Sequence, residues 1–251
     1  MILGILQART TSSRLPQKVL RPILGRPMLA RQIERLRRSH AIDKLIVATS
    51  THPTDDPIQS LCEEENIECF RGKLNDVLDR FYQGAQQWKP QHIVRLTGDC
   101  PLTDPSLLDQ ITQFHLQEEA DYTSNTLDPT FPEGLDVEVF RSSCLEQAWK
   151  EATLPSEREH VTPFITKHPE RFKLINFKNT KNLSHLRWSV DEPLDFEVVT
   201  RIYEALYTKN SNFSTQDVLA YLQKHKEIVE LNAHYVRNEG YLKSLTKDLE
   251  R

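Results

Sequence analysis

Apolar residues open the chain as an almost unbroken run, Ile2 to Leu6 with one glycine, and a run this short predicts a buried strand. Met28 to Arg38 places Met28, Leu29, Ile33 and Leu36 on one face and Arg31, Arg35 and Arg38 toward the other. That is the period of a helix, with Pro27 suited to its first position. Leu45 to Ala48 is again continuous, as expected of a central parallel strand. The pattern then predicts a helix over Asp55–Glu65, a short strand over Ile67–Phe70 and a helix over Asn75–Trp88 striped by Val77, Leu78, Phe81 and Ala85. His92–Leu96 follows as a fourth strand. Strand and helix alternate throughout, which predicts an α/β fold with a doubly wound parallel sheet and helices on both faces. Ligands in such sheets bind at the carboxyl ends of the strands.

The second half is less regular. Pro105–Glu119 predicts a helix and Asp121–Ser124 a short strand. In Phe131–Phe140, Leu135, Val137 and Val139 alternate with Asp136 and Glu138, the period of a half-buried strand with both acids on one face. Ser143–Ala152 and Glu157–Lys167 predict helices, Phe172–Phe177 and Leu186–Val190 strands, and Leu194–Tyr207 a further helix. From Phe213 on, the chain reads as polar helix anchored by residues such as Val218, Leu222 and Ile228. The charged stretch Asn238–Arg251 is expected to be loosely attached. The expected organisation is one α/β domain over 1–210 with a helical extension over 211–251 packed on it.

Composition narrows the class. The 251 residues are 38% hydrophobic and 27% charged, as in an ordinary soluble globular protein. A net charge of −4 argues against a general nucleic-acid binder. No apolar run approaches the roughly 18 residues of a membrane span, and no leader pattern is seen. Cys62, Cys69, Cys100 and Cys144 form no CxxC pair, so reduced thiols in a cytoplasmic protein are expected.

The candidate chemistry lies at two strand ends. After the first strand, Leu6 to Lys18 is rich in hydroxyls and carries Arg9, Arg14 and Lys18 with no acid. Backbone N–H groups, hydroxyls and cations there suit a polyphosphate, although the stretch is not a Walker loop and also reads as a solvated basic turn. After the fourth strand stands Thr97-Gly98-Asp99-Cys100-Pro101. Asp99 and Asp191 each follow a predicted strand. Either alone reads as a helix cap or turn residue, but two acids beside a cationic loop are the equipment for Mg²⁺-assisted phosphoryl or nucleotidyl transfer. Asp136 and Glu138 could meet substrate hydroxyls or form the solvent face of an edge strand. Arg158 and His160 could meet an anionic acceptor or lie on a helix surface. Arg71, Asp76 and Arg80 could line the base and ribose, or Asp76 and Arg80 could be a simple i, i+4 pair.

Six phrases together resemble one family: ILQARTTSSRLPQKVLRPILGRPML, RGKLNDVLDRFYQGA, VRLTGDCPLTDP, FPEGLDVEVF, SEREHVTPFI and LRWSVDEPLDFEVV. They are similar to the cytidylyltransferase-like proteins of the spore coat polysaccharide SpsF type, relatives of CMP-sialic acid and CMP-KDO synthetases. The resemblance implies a nucleotide-diphospho-sugar transferase-like, Rossmann-like three-layer sandwich with a mostly parallel central sheet. It implies that Leu6, Ala8, Arg9, Ser12, Arg14 and Lys18 hold CTP together with Arg71, Asp76, Arg80, Thr97 and Gly98. It implies Asp99 and Asp191 as ligands of Mg²⁺. Arg14, Lys18, Asp99 and Asp191 are the expected catalytic set, and Glu133, Asp136, Glu138, Arg158 and His160 are expected on the side of a small anionic acceptor. The implied reaction is attack of an acceptor oxygen on the α-phosphorus of CTP with release of pyrophosphate, for surface polysaccharide synthesis. Relatives suggest a homodimer, with neither nucleic acid nor membrane as partner. A nucleotide-sugar-dependent glycosyltransferase and a non-catalytic nucleotide-binding protein on the same fold stand as alternatives, and the acceptor stays open.

Overall fold

The computed structural model describes residues 1–249. Its centre is a seven-stranded sheet. Four strands come from the alternating first half: β1 (Ile2–Gln7), β4 (Lys44–Ser50), β5 (Glu68–Gly72) and β6 (His92–Thr97). Between β1 and β4, β2 (Pro22–Ile23) and β3 (Arg26–Pro27) form a small separate hairpin. The second half adds β7 (Tyr122–Ser124), β8 (Glu138–Arg141) and β9 (Leu174–Asn176), giving the order β5-β4-β1-β6-β8-β7-β9. All neighbours are parallel except that β8 runs antiparallel to β6 and β7. The sheet is therefore mostly parallel, and the start of β8 lies at the same edge as the carboxyl ends of β1 and β6.

Alternating side chains of the buried strands feed two cores. Leu6, Val47, Val94 and Leu96 face one side with α1 (Met28–Leu36), α2 (Asp56–Glu64), α4 (Pro105–Gln117) and α8 (Pro193–Leu206). Leu3, Ile5, Ile46 and Ile93 face the other with α3 (Val77–Gln86), α5 (Ser142–Glu151) and α7 (Pro163–Thr166). Helix α6 (Pro155–His160) packs beside α3 on that second side. Three layers result, the arrangement expected when helical crossovers cover both faces of a parallel sheet. Helices α9 (Thr215–Lys224) and α10 (Lys226–Glu230) add to the first layer, and α11 (Glu239–Asp248) crosses to pack on α6. No helix among the described residues is long and apolar enough to cross a membrane.

Three expected elements differ. The helix expected over Glu157–Lys167 is split into α6 and α7, because Pro163 cannot continue a helix and Val161 turns to φ 73°. The strand expected across Phe131–Phe140 begins only at Glu138. Its earlier half is held by Asn125 instead, whose Nδ2 donates to the Leu135 carbonyl at 2.8 Å and whose Oδ1 accepts from Val137 N at 2.9 Å. Leu186–Val190 is extended but pairs with a loop: Trp188 N donates to Glu133 O at 2.7 Å and Val190 N to Asp99 O at 2.7 Å. Gly134 permits this approach. Its φ is +100°, and a Cβ would stand 2.5 Å from the Trp188 carbonyl carbon. The tail is also more attached than its charge suggests, since α11 contacts α6 and Ser156 Oγ donates to Asp248 at 2.6 Å. The last residues of the stretch expected to be loose, 250 and 251, lie outside the described residues.

Candidate active site

A cleft of about 660 Å³ opens at the carboxyl edge of the sheet, on the side of α3 and α6. The loop after β1 forms one wall. Asp55, wholly buried, shapes that loop by accepting from Thr10 N and Thr10 Oγ1, each at 2.8 Å, and from Ser50 Oγ. These hydrogen bonds hold the Asp55 carboxyl below its ordinary range in spite of burial, which alone would raise it. Ala8, Arg9, Ser12, Arg14 and Lys18 all line the cleft. Leu6 does not, because its side chain faces the first core.

Lys18 draws the floor together. Its Nζ donates to Val190 O and Asp191 Oδ1 at 2.8 Å and to Asp99 Oδ2 at 3.3 Å. Burial disfavours its charge, but the two carboxylates outweigh burial and hold the ammonium above the usual lysine value. Asp99 responds in the opposite sense. Burial pushes its carboxyl up, while the Lys18 charge and the Thr97 hydroxyl prevail and bring it to about 2. Gly98 keeps the β1 and β6 ends close: its N donates to Gln7 O at 2.8 Å, and a Cβ would stand 3.0 Å from that oxygen.

Asp191 is held by a buried frame. Arg187 Nε and Nη2 each donate at 2.9 Å to the two oxygens of Asp195, while Nη1 donates to Glu133 at 2.7 Å. Arg187 Nη2 also reaches Asp191 at 3.4 Å. Asp195 accepts in addition from the backbone N–H groups of Asp191 and Glu192 and from Asn232 Nδ2, each at 2.9 Å. The residue is thus the N3 carboxylate of the α8 capping box and an ion-pair partner at once. Arg14 meets the same acids from the loop side, with Asp191 at 3.1 Å, Glu192 at 3.3 Å and Glu239 at 2.8 Å.

Across the cleft, Glu138 accepts from the Tyr122 and Thr162 hydroxyls at 2.6 Å each and pairs with Arg95. Asp136 pairs with Arg237 at 2.8 Å. Burial nevertheless pushes its carboxyl up to about 7, with Glu133, Glu138 and Asp99 adding repulsion. His160 Nε2 lies 2.9 Å from Ser244 Oγ of α11, and burial and the Arg95 charge lower the imidazole to about 4. Val161, a β-branched residue at φ 73°, sits between the cleft residues His160 and Thr162, and such strain is usually kept where a site needs it.

The expected site residues therefore separate. Thr97, Gly98, Asp99, Asp191, Glu133, Asp136, Glu138, His160 and Arg80 join the loop in one cleft. Arg80 enters it almost fully buried, with Nε unpartnered and its charge eased to about 10 by burial and by Arg9. Arg71, Asp76 and Arg158 stand outside the cleft lining. Arg71 turns back to Ser50 O, Gln59 and Asp56. Asp76 caps α3 through Asp79 N and pairs with Arg158 at 2.6 Å in place of an i, i+4 pair with Arg80. Asp55, Arg95, Arg187, Asp195, Asn232 and Arg237 were not among the expected residues. Only Asp195 carried a readable signal, a Glu at the N-cap position with Asp three residues on. Among the described residues no group of three or more His, Cys, Asp or Glu forms a ready metal cage. The oxygens of Asp99 and Asp191 do converge on one ammonium, as a pair of hard donors for Mg²⁺ would.

A model of the cytidylyltransferase family matches residues 3–240. An uncharacterized protein of Methanocaldococcus jannaschii is 36% identical over 96% of this chain and 97% of its own. The spore coat polysaccharide biosynthesis protein SpsF of Bacillus subtilis is 35% identical over 81% of this chain and 86% of its own. The solved structure of a cytidylyltransferase from Leptospira borgpetersenii superposes with a TM-score of 0.86 at 31% identity, covering 91% of this chain and 96% of that one.

Proposed function

We propose that this chain, which belongs to the cytidylyltransferase family and is a nucleotidyltransferase, moves CMP from CTP to a small anionic sugar or sugar-like acceptor and releases pyrophosphate. The observation that carries the reading is the convergence of Asp99 and Asp191 on Lys18 beside the Arg9–Lys18 loop. Arg9, Arg14 and Lys18 receive the triphosphate. Their charges offset the negative charge that gathers on the pyrophosphate as the bond between the α-phosphorus and its bridging oxygen breaks. Asp99 and Asp191 hold Mg²⁺, which when bound supplies Lewis-acid stabilisation to phosphate oxygens. Lys18 then gives up part of its contact with the two acids to a phosphate oxygen. Buried Arg80 meets the nucleoside with its unpartnered Nε.

The acceptor enters on the β8 side, where Glu133, Asp136, Glu138 and His160 line the cleft. Its oxygen forms the new bond to the α-phosphorus. Where that oxygen is a hydroxyl, Asp136, with its carboxyl near 7, takes the proton. An acceptor that is already an anion needs no base. The B. subtilis relative's name supports a place in surface polysaccharide synthesis. Work on small charged metabolites suits a cytoplasmic enzyme, and a homodimer is the oligomer we propose.

A pyrophosphate-release screen of the four nucleoside triphosphates against sugar acids and sugar phosphates tests this reading. CTP should be consumed with at least one acceptor and only with Mg²⁺, and Asp99→Ala and Asp191→Ala should each abolish release. Consumption of a nucleotide-sugar in place of any triphosphate would assign the cleft to glycosyl transfer.

A further inference from the structure

Two arginines in this cleft region are built alike, and one is incomplete. Arg187 is buried, its Nη1 donates to Glu133, and the side-on fork of Nε and Nη2 grips both oxygens of Asp195. Arg95 is also nearly buried, with a side chain 12% exposed, and its Nη1 pairs with Glu138. Its Nε has no hydrogen-bond partner, and no second carboxylate pairs with it among the described residues.

Glu138 gives Arg95 one oxygen only. One of its oxygens already takes Tyr122 and Thr162, and the other takes Arg95 Nη1. The pairing also fixes the direction of the guanidinium, since Arg95 and Glu138 are register partners on β6 and β8. Leaving a buried charged donor unmade is costly, and the planar Nε/Nη2 edge of an arginine that lines the cleft matches the two oxygens of a carboxylate or phosphate. The pairing runs toward β8, whereas the loop after β1 lies on the opposite side of β6.

We propose that Arg95 is a specificity-determining residue that receives an oxyanion of the acceptor, a carboxylate or a phosphate, on its Nε/Nη2 fork. The proposal rests on the reading of the β8 side as the acceptor side. It deepens that reading by naming the residue that takes the acceptor's anionic group, since Asp136 and Glu138 suit its hydroxyls.

Calorimetric titration of the full chain, with and without CTP and Mg²⁺, tests it with gluconate, glucose 1-phosphate and neutral glucose as probes. Wild type should bind at least one of the two anions and not glucose. Arg95→Gln should weaken that anion at least tenfold and leave the CTP Kd within twofold. Arg95→Lys, which keeps the charge beside Glu138 and removes the fork, should weaken it by a smaller factor and serves if Arg95→Gln does not fold. Equal anion binding by wild type and both variants would overturn the proposal, as would anions that bind no better than glucose. A parallel loss of CTP would instead give Arg95 to the nucleotide. Failure of wild type to bind CTP would refute cytidylyl transfer, while the titrations without nucleotide would still decide the anion site.

Discussion

Asp195→Asn is the sharpest structural perturbation available, because it changes one oxygen in a fully buried side chain that accepts five hydrogen bonds. The amide keeps the shape but brings an N–H₂ against donors and removes the charge facing Arg187. Removing one partner of a buried pair costs about 3–5 kcal/mol, since the remaining charge stays buried. Arg187 keeps Glu133 and a 3.4 Å contact with Asp191, so the lower end, about 3 kcal/mol, is expected. With a urea dependence of about 3 kcal/mol per molar, the midpoint falls by about 1 M. With the charge facing Arg187 gone, the frame that positions Asp191 loosens, so CTP turnover at fixed Mg²⁺ should fall more than tenfold in the protein that remains folded. Glu197→Gln is the control. It breaks an exposed pair with Arg201 on the same helix, worth under about 0.5 kcal/mol. A midpoint shift for Asp195→Asn no larger than that control would refute the frame as the support of Asp191.

Two further outcomes follow from particular contacts. Buried His115 lies 3.0 Å from His92, and burial with the His92 charge lowers its imidazole from 6.5 to about 4. The unfolded chain therefore binds this proton first as pH falls. The His115 contribution to stability is complete above about pH 6.5 and declines toward pH 4 by about 3 kcal/mol, a slope that His115→Gln should remove from the urea midpoints of wild type. Glu239→Gln removes one of the three acids on Arg14 and should tighten CTP binding by about twofold to fivefold in a titration, as expected for a partly exposed pair.

The first four sheet strands were legible because each is a short apolar run with its helix beside it. Asp99 and the Arg9–Lys18 loop were legible because strand order brings their carboxyl ends to one edge. The frame around Asp191 was not. Arg187 meets Glu133 across 54 residues and Asp195 meets Asn232 across 37, and no local pattern announces such pairs. Arg95 lies inside the expected strand His92–Leu96 with no signal of its own, because the partner that fixes it, Glu138, comes from an antiparallel strand whose placement the alternation did not predict. Asp76 and Arg80 fit i, i+4 spacing, yet Arg158 from α6 is the partner that Asp76 takes. The extent of β8 was missed for a similar reason: Asn125 and the Trp188 backbone satisfy residues 133–137 in place of a ladder.

In the proposed reaction the α-phosphoryl group of CTP leaves on the acceptor. Parallel reactions with α-labelled and γ-labelled CTP, Mg²⁺ and the acceptor found in the screen test it most directly. The α label should appear in the acceptor product and the γ label in pyrophosphate, both lost in Asp99→Ala. A γ label on the acceptor, or an α label that stays in the nucleotide pool, would rule out cytidylyl transfer.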